Sequence, residues 1–330
     1  MTCGITLNCR VMQNHSTPRA GKPSRNMPGQ TSSAPQATKA GTAAQVIEEI
    51  RPGQSIELLK ELHILTREGK LNQDTRRKLK QVYHLYQFIE PLLQEVSAND
   101  RDFTLADHGA GKSYLGFILY DLFFNVAHQG RKTAGHIYGI ETRAELVEKS
   151  RTLAARLGFA RMSFLNLSVQ QATLSAELPQ TVDIVTALHA CDTATDDAIA
   201  FGLAKHARHM VLVPCCQAEV AGMLKRNKAL AMVKTPLAEL WRHPLHAREF
   251  GSQITNVLRC LQLEASGYEV TVTELVGWEH SMKNELILAS RPATPKPGKT
   301  RAAQARLQQV LEELGLGELS TRFAVPAELP

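Results

Sequence analysis

The residues best suited to chemistry fall in four short blocks. The first is Asp107-His108-Gly109-Ala110-Gly111-Lys112-Ser113, at the end of an apolar, strand-like run. Glycines suit such a place because the backbone can turn sharply and approach a ligand without a Cβ in the way. Gly111-Lys112-Ser113 also resembles the end of a Walker phosphate loop. That motif needs a glycine five residues before Gly111, where Ala106 stands, and Asp107 would repel a polyphosphate. A carboxylate there better suits a cationic ligand, such as a sulfonium carrying an α-ammonium group. The competing reading is a plain strand-to-helix turn. The second block is Glu141, at the end of the next strand-like run. A carboxylate so placed can accept hydrogen bonds from both hydroxyls of a ribose, although it could also be an ordinary acid before a helix. Asp107 and Glu141 together favour a nucleoside cofactor.

The other two blocks are His189-Ala190-Cys191-Asp192-Thr193-Ala194-Thr195-Asp196 and Val213-Pro214-Cys215-Cys216-Gln217. Both follow apolar strand-like runs, and polar residues at the C-terminal ends of parallel strands face the ligand crevice. The cysteines admit three readings. They could be small packing residues, a nucleophile for C5 methylation of a pyrimidine, or zinc ligands with His189 or His280. No Cys-x₂-Cys spacing supports the last, and no metal is expected.

The elements that must position these blocks alternate between strand and helix, the sign of a parallel sheet. Strands are expected over Phe103–Asp107, His136–Glu141, Met162–Leu167, Val182–Leu188 and Met210–Pro214. Tyr268–Val276 and Asn284–Ala289 should form an antiparallel pair at the sheet edge. Helices are expected over Ser113–Ala127, Arg143–Leu157, Ala194–His206, Ala218–Asn227 and Phe250–Gly267. Upstream, Ile56, Leu58, Leu59, Leu62 and Leu65 recur at helical spacing, and a second helix should run from Asp74 to Val96. The expected organisation is a disordered tail over 1–45, a helical subdomain over 46–100 and a Rossmann-like catalytic domain over 101–291. A linker and one helix over 292–330 complete it.

Composition excludes little but locates the charge. The net charge is +6, of which residues 1–45 carry +5 and residues 291–330 carry +2, leaving the body at −1. The basic excess therefore lies in the tails, and Arg76-Arg77-Lys78-Leu79-Lys80 is the one basic cluster of the early body. No apolar run approaches the roughly 18–20 residues of a membrane span. The six cysteines show no disulfide spacing, which points to a reducing cytoplasm.

Taken in order, the blocks resemble a methyltransferase family with a His-x-Cys-x-x-Ala-Thr-Asp motif after the fourth strand and Pro-Cys-Cys after the fifth. Its eukaryotic relatives include the tRNA acceptor-stem 2′-O-methyltransferase and the methyltransferase-like 25 group. The match also takes in Arg77–Gln81, Glu141-Thr142-Arg143, Gly267–Val270 and His280–Asn284. The resemblance implies a class I methyltransferase fold, S-adenosyl-L-methionine as cofactor and, by analogy, an RNA acceptor. Asp107, Gly109, Gly111 and Lys112 would hold the methionine end, and Glu141 the ribose. His189, Cys191 and Asp196 are the candidate catalytic residues, with His189 and Asp196 orienting or deprotonating the acceptor. Arg77, Lys78, Lys80, Cys215, Lys283 and Asn284 are the candidate acceptor contacts. Two departures stand out: Asp192 occupies a glycine position of the tRNA enzymes, and the CHHC-type zinc fingers of those enzymes are missing.

Overall fold

In the computed structural model the described residues are 49–98, 101–127, 135–188, 192–214, 217–227, 236–275 and 285–326. Two helices come first, α1 (Ile56–Glu61) and α2 (Gln73–Val96). The apolar spacing that runs on to Leu65 predicts a longer α1. The helix stops at Glu61, and His63 takes a left-handed φ of 55° that turns the chain while keeping Leu62, Ile64 and Leu65 buried. Asn72 and Thr75 form a reciprocal capping box that starts α2, as expected of an amide side chain at a helix N-cap. Its buried stripe (Leu79, Val82, Leu85, Tyr86, Ile89, Leu93) joins the same core as β1 and α3, so these helices share the core of the sheet.

Among the described residues, seven strands form one sheet. They are β1 (Thr104–His108), β2 (His136–Ile140), β3 (Met162–Leu165), β4 (Ile184–Leu188), β5 (His209–Val213), β6 (Glu269–Glu274) and β7 (Glu285–Ser290). Their order is β3-β2-β1-β4-β5-β7-β6, with β1 to β5 parallel and β7 antiparallel to both β5 and β6. Connecting helices are α3 (Tyr114–Tyr120), α4 (Ala144–Leu157), α5 (Val169–Leu174), α6 (Ala194–Ala204), α7 (Glu219–Asn227) and α8 (Pro244–Ala265). The Rossmann-like α/β reading holds, with the antiparallel pair at the edge. The short α5, started by a Ser168–Gln171 capping box, is an element that periodicity does not reveal in six residues.

One expected helix changes character midway. The stretch after α3 is wound as a π-helix over Asp121–Ala127. Asp121 is fully buried there, accepting from the Ser55 amide (3.0 Å) and the Asn125 side-chain amide (3.0 Å). One partner of the buried carboxylate thus comes from the cap of α1 and the other from within the widened helix. On the far side, α7 and α8 approach so closely that a Cβ at Gly251 would lie 2.5 Å from the Ala221 backbone, so only glycine fits. The last helix, α9 (Pro297–Glu313), buries Ala303, Leu307 and Leu311 against α8 and α7. No helix among the described residues is long and apolar enough to cross a membrane.

Candidate active site

The strand order reverses direction between β1 and β4: the chain moves outward through β2 and β3, then returns to pair β4 with β1. Ligands in open α/β sheets bind outside the carboxyl ends of the strands at this point. The loop after β1 and the segments after β4 and β5 all leave the sheet there.

On the β1–β2 side the glycine block forms a tight loop. Gly109 (φ 66°), Gly111 (φ 58°) and Ser113 (φ 49°) are all left-handed, which explains the glycines and makes Ser113 a strained exception. Gly109 and Lys112 are exposed, whereas Ser113 is buried, its hydroxyl directed at Gly116 of α3 and Gly139 of β2. Asp107 does not face outward. Its carboxyl is buried, accepts from the Thr186 hydroxyl of β4 (2.9 Å), and ties the loop to the neighbouring strand. Burial pushes Asp107 up to about 7 against the opposing hydrogen bonds from Thr186 and the Gly116 amide. It therefore acts on any ligand through the loop it anchors. His108, next in β1, is buried against Phe201 with neither ring nitrogen hydrogen-bonded, and desolvation holds it down to about 4.

Glu141 lies beneath the same loop and is saturated. It accepts from the Gly111 amide (2.8 Å), the Arg143 amide (3.0 Å), the Thr142 hydroxyl (3.3 Å) and both ends of the Arg143 fork, Nε (3.0 Å) and Nη2 (3.2 Å). Burial would raise this carboxylate, but the Arg143 and Gly111 hydrogen bonds and the guanidinium charge outweigh it and hold Glu141 at about 2. Asn166, after β3, donates to the Glu141 and Thr142 carbonyls (3.0 and 2.8 Å) and fixes this strand end. The loop and this ionised carboxylate fit a nucleoside sulfonium: an open glycine turn for the chain end, and an acceptor for a diol. The Arg143 side chain, 60% exposed, occupies the positions that a diol would need.

On the β4–β5 side the order is of a different kind. Asp196, expected to orient or deprotonate the acceptor, is buried at the start of α6. Its carboxylate takes the Arg259 Nε at 2.5 Å, where it serves as an ion-pair partner rather than a free base. Arg259, on α8, is itself wholly buried, and it also donates to Asn256 Oδ1 (3.1 Å) and to the Asp192 carbonyl (2.9 Å). Asn256 donates to Glu285 Oε2 at the start of β7 (2.6 Å) and meets the Gln217 amide at 2.7 Å. One buried network therefore joins the ends of β4 and β5, the start of β7, and α8. Asp192 sits above it, exposed and left-handed at φ 54°. That conformation costs an L-residue roughly 1–2 kcal/mol, which gives a physical reason for glycine at this position in the family the sequence resembles.

His189, Cys191, Cys215, Lys283 and Asn284, together with Cys216 and His280, lie outside the described residues. Arg77, Lys78 and Lys80 are exposed on α2. The described residues contain no His/Cys/Asp/Glu group able to hold a metal. Cys260 of α8 is held far from reactivity, its thiol pushed up to about 12 chiefly by burial. Arg259 and Asn256 are the residues that pattern reading misses. Thr255, Asn256, Arg259, Gln262 and Ser266 are polar residues at helical spacing, and all five are buried.

Residues 77–223 match a family model described as a methyltransferase domain. This stretch contains the glycine loop, Glu141 and the blocks after β4 and β5, and it ends before α8. No curated protein is matched by the chain. Among solved structures, a magnesium protoporphyrin IX methyltransferase from Synechocystis PCC 6803 shares 12% identity, covering 72% of this chain and 93% of that one with a TM-score of 0.41. An rRNA methylase from Streptococcus thermophilus shares 9%, covering 62% and 94% with a TM-score of 0.39. The Methanococcus jannaschii fibrillarin pre-rRNA processing protein shares 12%, covering 59% and 68% with a TM-score of 0.34. Likeness at this level says nothing about a substrate. With the strand order and the loop geometry, the family match makes the chain a class I methyltransferase that uses S-adenosyl-L-methionine.

Proposed function

We propose that the methyl acceptor is RNA, either tRNA or rRNA, within the family that the sequence motifs resemble. The observation that carries this reading is the exposed basic turn of α2. Lys78 and Lys80 project there with no carboxylate partner among the described residues, and Arg77 reaches Asp74 only at 3.9 Å. Such cations are free to neutralise phosphates, the sequence-independent part of nucleic-acid binding. In this reading residues 101–291 form the catalytic body, and α2 and the basic tails hold the acceptor's backbone.

Bound at the loop, S-adenosyl-L-methionine supplies an electrophilic methyl group. The chain's own residues do the rest. The Gly109–Lys112 turn, anchored through Asp107 to Thr186, would receive the methionine end. Glu141 would accept from the ribose once Arg143 swings aside. The segments after β4 and β5 would present the acceptor atom in line with the methyl, where positioning in a dry crevice supplies much of the rate.

Two measurements test this. Calorimetry with S-adenosyl-L-methionine should show binding by the wild type and weaker binding by Asp107→Ala. Incubation with tritiated cofactor and an extract of cells lacking the protein should place label in RNA. Label entering the protein or small-molecule fraction instead overturns the RNA reading.

A further inference from the structure

We infer that Asp192 is an acceptor-contacting carboxylate, and that the buried Arg259 exists at this position to hold it there. Three observations converge. Asp192 is the exposed carboxylate at the carboxyl end of β4, on the side of the sheet from which the glycine loop of β1 also emerges. Its backbone is in a left-handed conformation that favours glycine, a strain that persists only where the surroundings enforce it. The enforcement is visible: the Asp192 carbonyl accepts from Arg259 Nη2 (2.9 Å), and its Oδ1 faces the Ala218 amide after β5 at 3.5 Å.

A guanidinium with no exposed surface is an expensive way to hold a loop carbonyl. It is better understood as a fixed base plate: one arm on Asp196, one on Asn256, and one on the residue whose side chain is left pointing outward. Among the described residues, the charges around Asp192 are Arg259, with Asp196 paired to it, and the Arg322–Glu219 pair alongside, in which Arg322 Nη2 donates to Glu219 at 3.1 Å. The carboxylate is thus balanced by neighbouring cations but bonded to none of them by its side chain.

A carboxylate in this place selects an acceptor atom that bears a hydrogen, an N–H or an O–H. It would repel a phosphate oxygen brought to the same point. In the transfer, the proton on the acceptor atom passes to Asp192 as the new bond to the methyl carbon forms. The carbon–sulfur bond breaks, with its electron pair staying on sulfur. The inference rests on the methyl-transfer crevice and is independent of whether the acceptor is RNA.

The decisive variant is Asp192→Gly, which removes the carboxylate and relieves the backbone strain, so folding is not at risk. Wild type and variant are compared for thermal stability, for S-adenosyl-L-methionine affinity by calorimetry, and for tritiated methyl transfer into the RNA, protein and small-molecule fractions of an extract from cells lacking the protein. We expect unchanged or higher stability, a cofactor Kd within about twofold, and total transfer lowered about tenfold or more in whichever fraction the wild type labels. Asp192→Asn, which keeps the shape and the hydrogen-bond acceptor, should fall between the two. Transfer by Asp192→Gly at the wild-type level overturns the assignment, and so does a parallel loss of cofactor binding. Label moving to a non-RNA fraction in the wild type bears on the RNA reading alone.

Discussion

The two sides of the crevice are built by opposite means. On the β1–β2 side, Gly111, Glu141 and Arg143 meet through short, partly buried hydrogen bonds, and one partner is an arginine with most of its side chain in water. On the β4–β5 side, Asp196 meets Arg259 from a distant element through a buried contact, Asn256 joins them from the same helix as Arg259, and Glu285 reaches Asn256 through a partly buried one. The first can rearrange around a ligand at little cost, because water replaces what Arg143 gives up. The second cannot, because breaking the Asp196–Arg259 contact strands charge in the core. In the function proposed above, the first side would receive the cofactor and the second would keep the acceptor in line.

This contrast can be broken at its most rigid point. Arg259→Leu leaves Asp196 buried without its partner and should cost about 3–5 kcal/mol of stability, read as a shift in the denaturation midpoint. Asp196→Asn in the same background should recover part of the loss, since the stranded charge is gone.

A smaller effect should appear with pH at Asp107. Burial raises it from the ordinary carboxyl value of 3.8 to about 7, so the folded chain holds this proton more tightly than the unfolded chain. Its contribution is therefore full at low pH, falls as the pH rises from about 4 to about 7, and stays low above that. Asp107→Asn, which cannot ionise, should flatten that part of the stability profile, a difference on the order of a few kcal/mol across the window. An unchanged slope in the variant would show that the carboxyl is not the group titrating.

The smallest expected effect sharpens the comparison on its soft side. Arg143→Ala removes the side chain that occupies Glu141 and should tighten S-adenosyl-L-methionine binding by roughly two- to fivefold, the worth of an exposed ion pair. Weaker binding by this variant would mean that Arg143 holds the cofactor rather than competing with it.

Most of the fold could be read from the sequence. Strands of five residues such as Ile184–Leu188, and long helices such as Gln73–Val96, announce themselves by period and by caps. The failures have local causes. Helix α1 ends early because His63 accepts a left-handed turn, α5 is too short for a period to show, and the π-helix at Asp121 answers to Ser55, distant in sequence. At the candidate site, the tight turn at Gly109–Gly111 and the acid at the end of β2 were legible as geometry, because a left-handed turn asks for glycine at fixed spacing. The role of Asp196 was not, since its position after β4 gives no hint that a helix some sixty residues later delivers Arg259 to it.

What the sequence by itself determined, then, is the alternation of strand and helix, the tight loop at Asp107–Ser113 and the acid at Glu141, because these follow from backbone sterics and short-range periodicity. Only the tertiary structure decided that Asp107 turns inward to Thr186, that Arg143 covers Glu141, and that a polar stripe on α8 lies in the core instead of in water. Those outcomes depend on which charges find partners when distant segments are packed out of solvent. The energy of a buried pair lies in that meeting, and neither residue carries it alone.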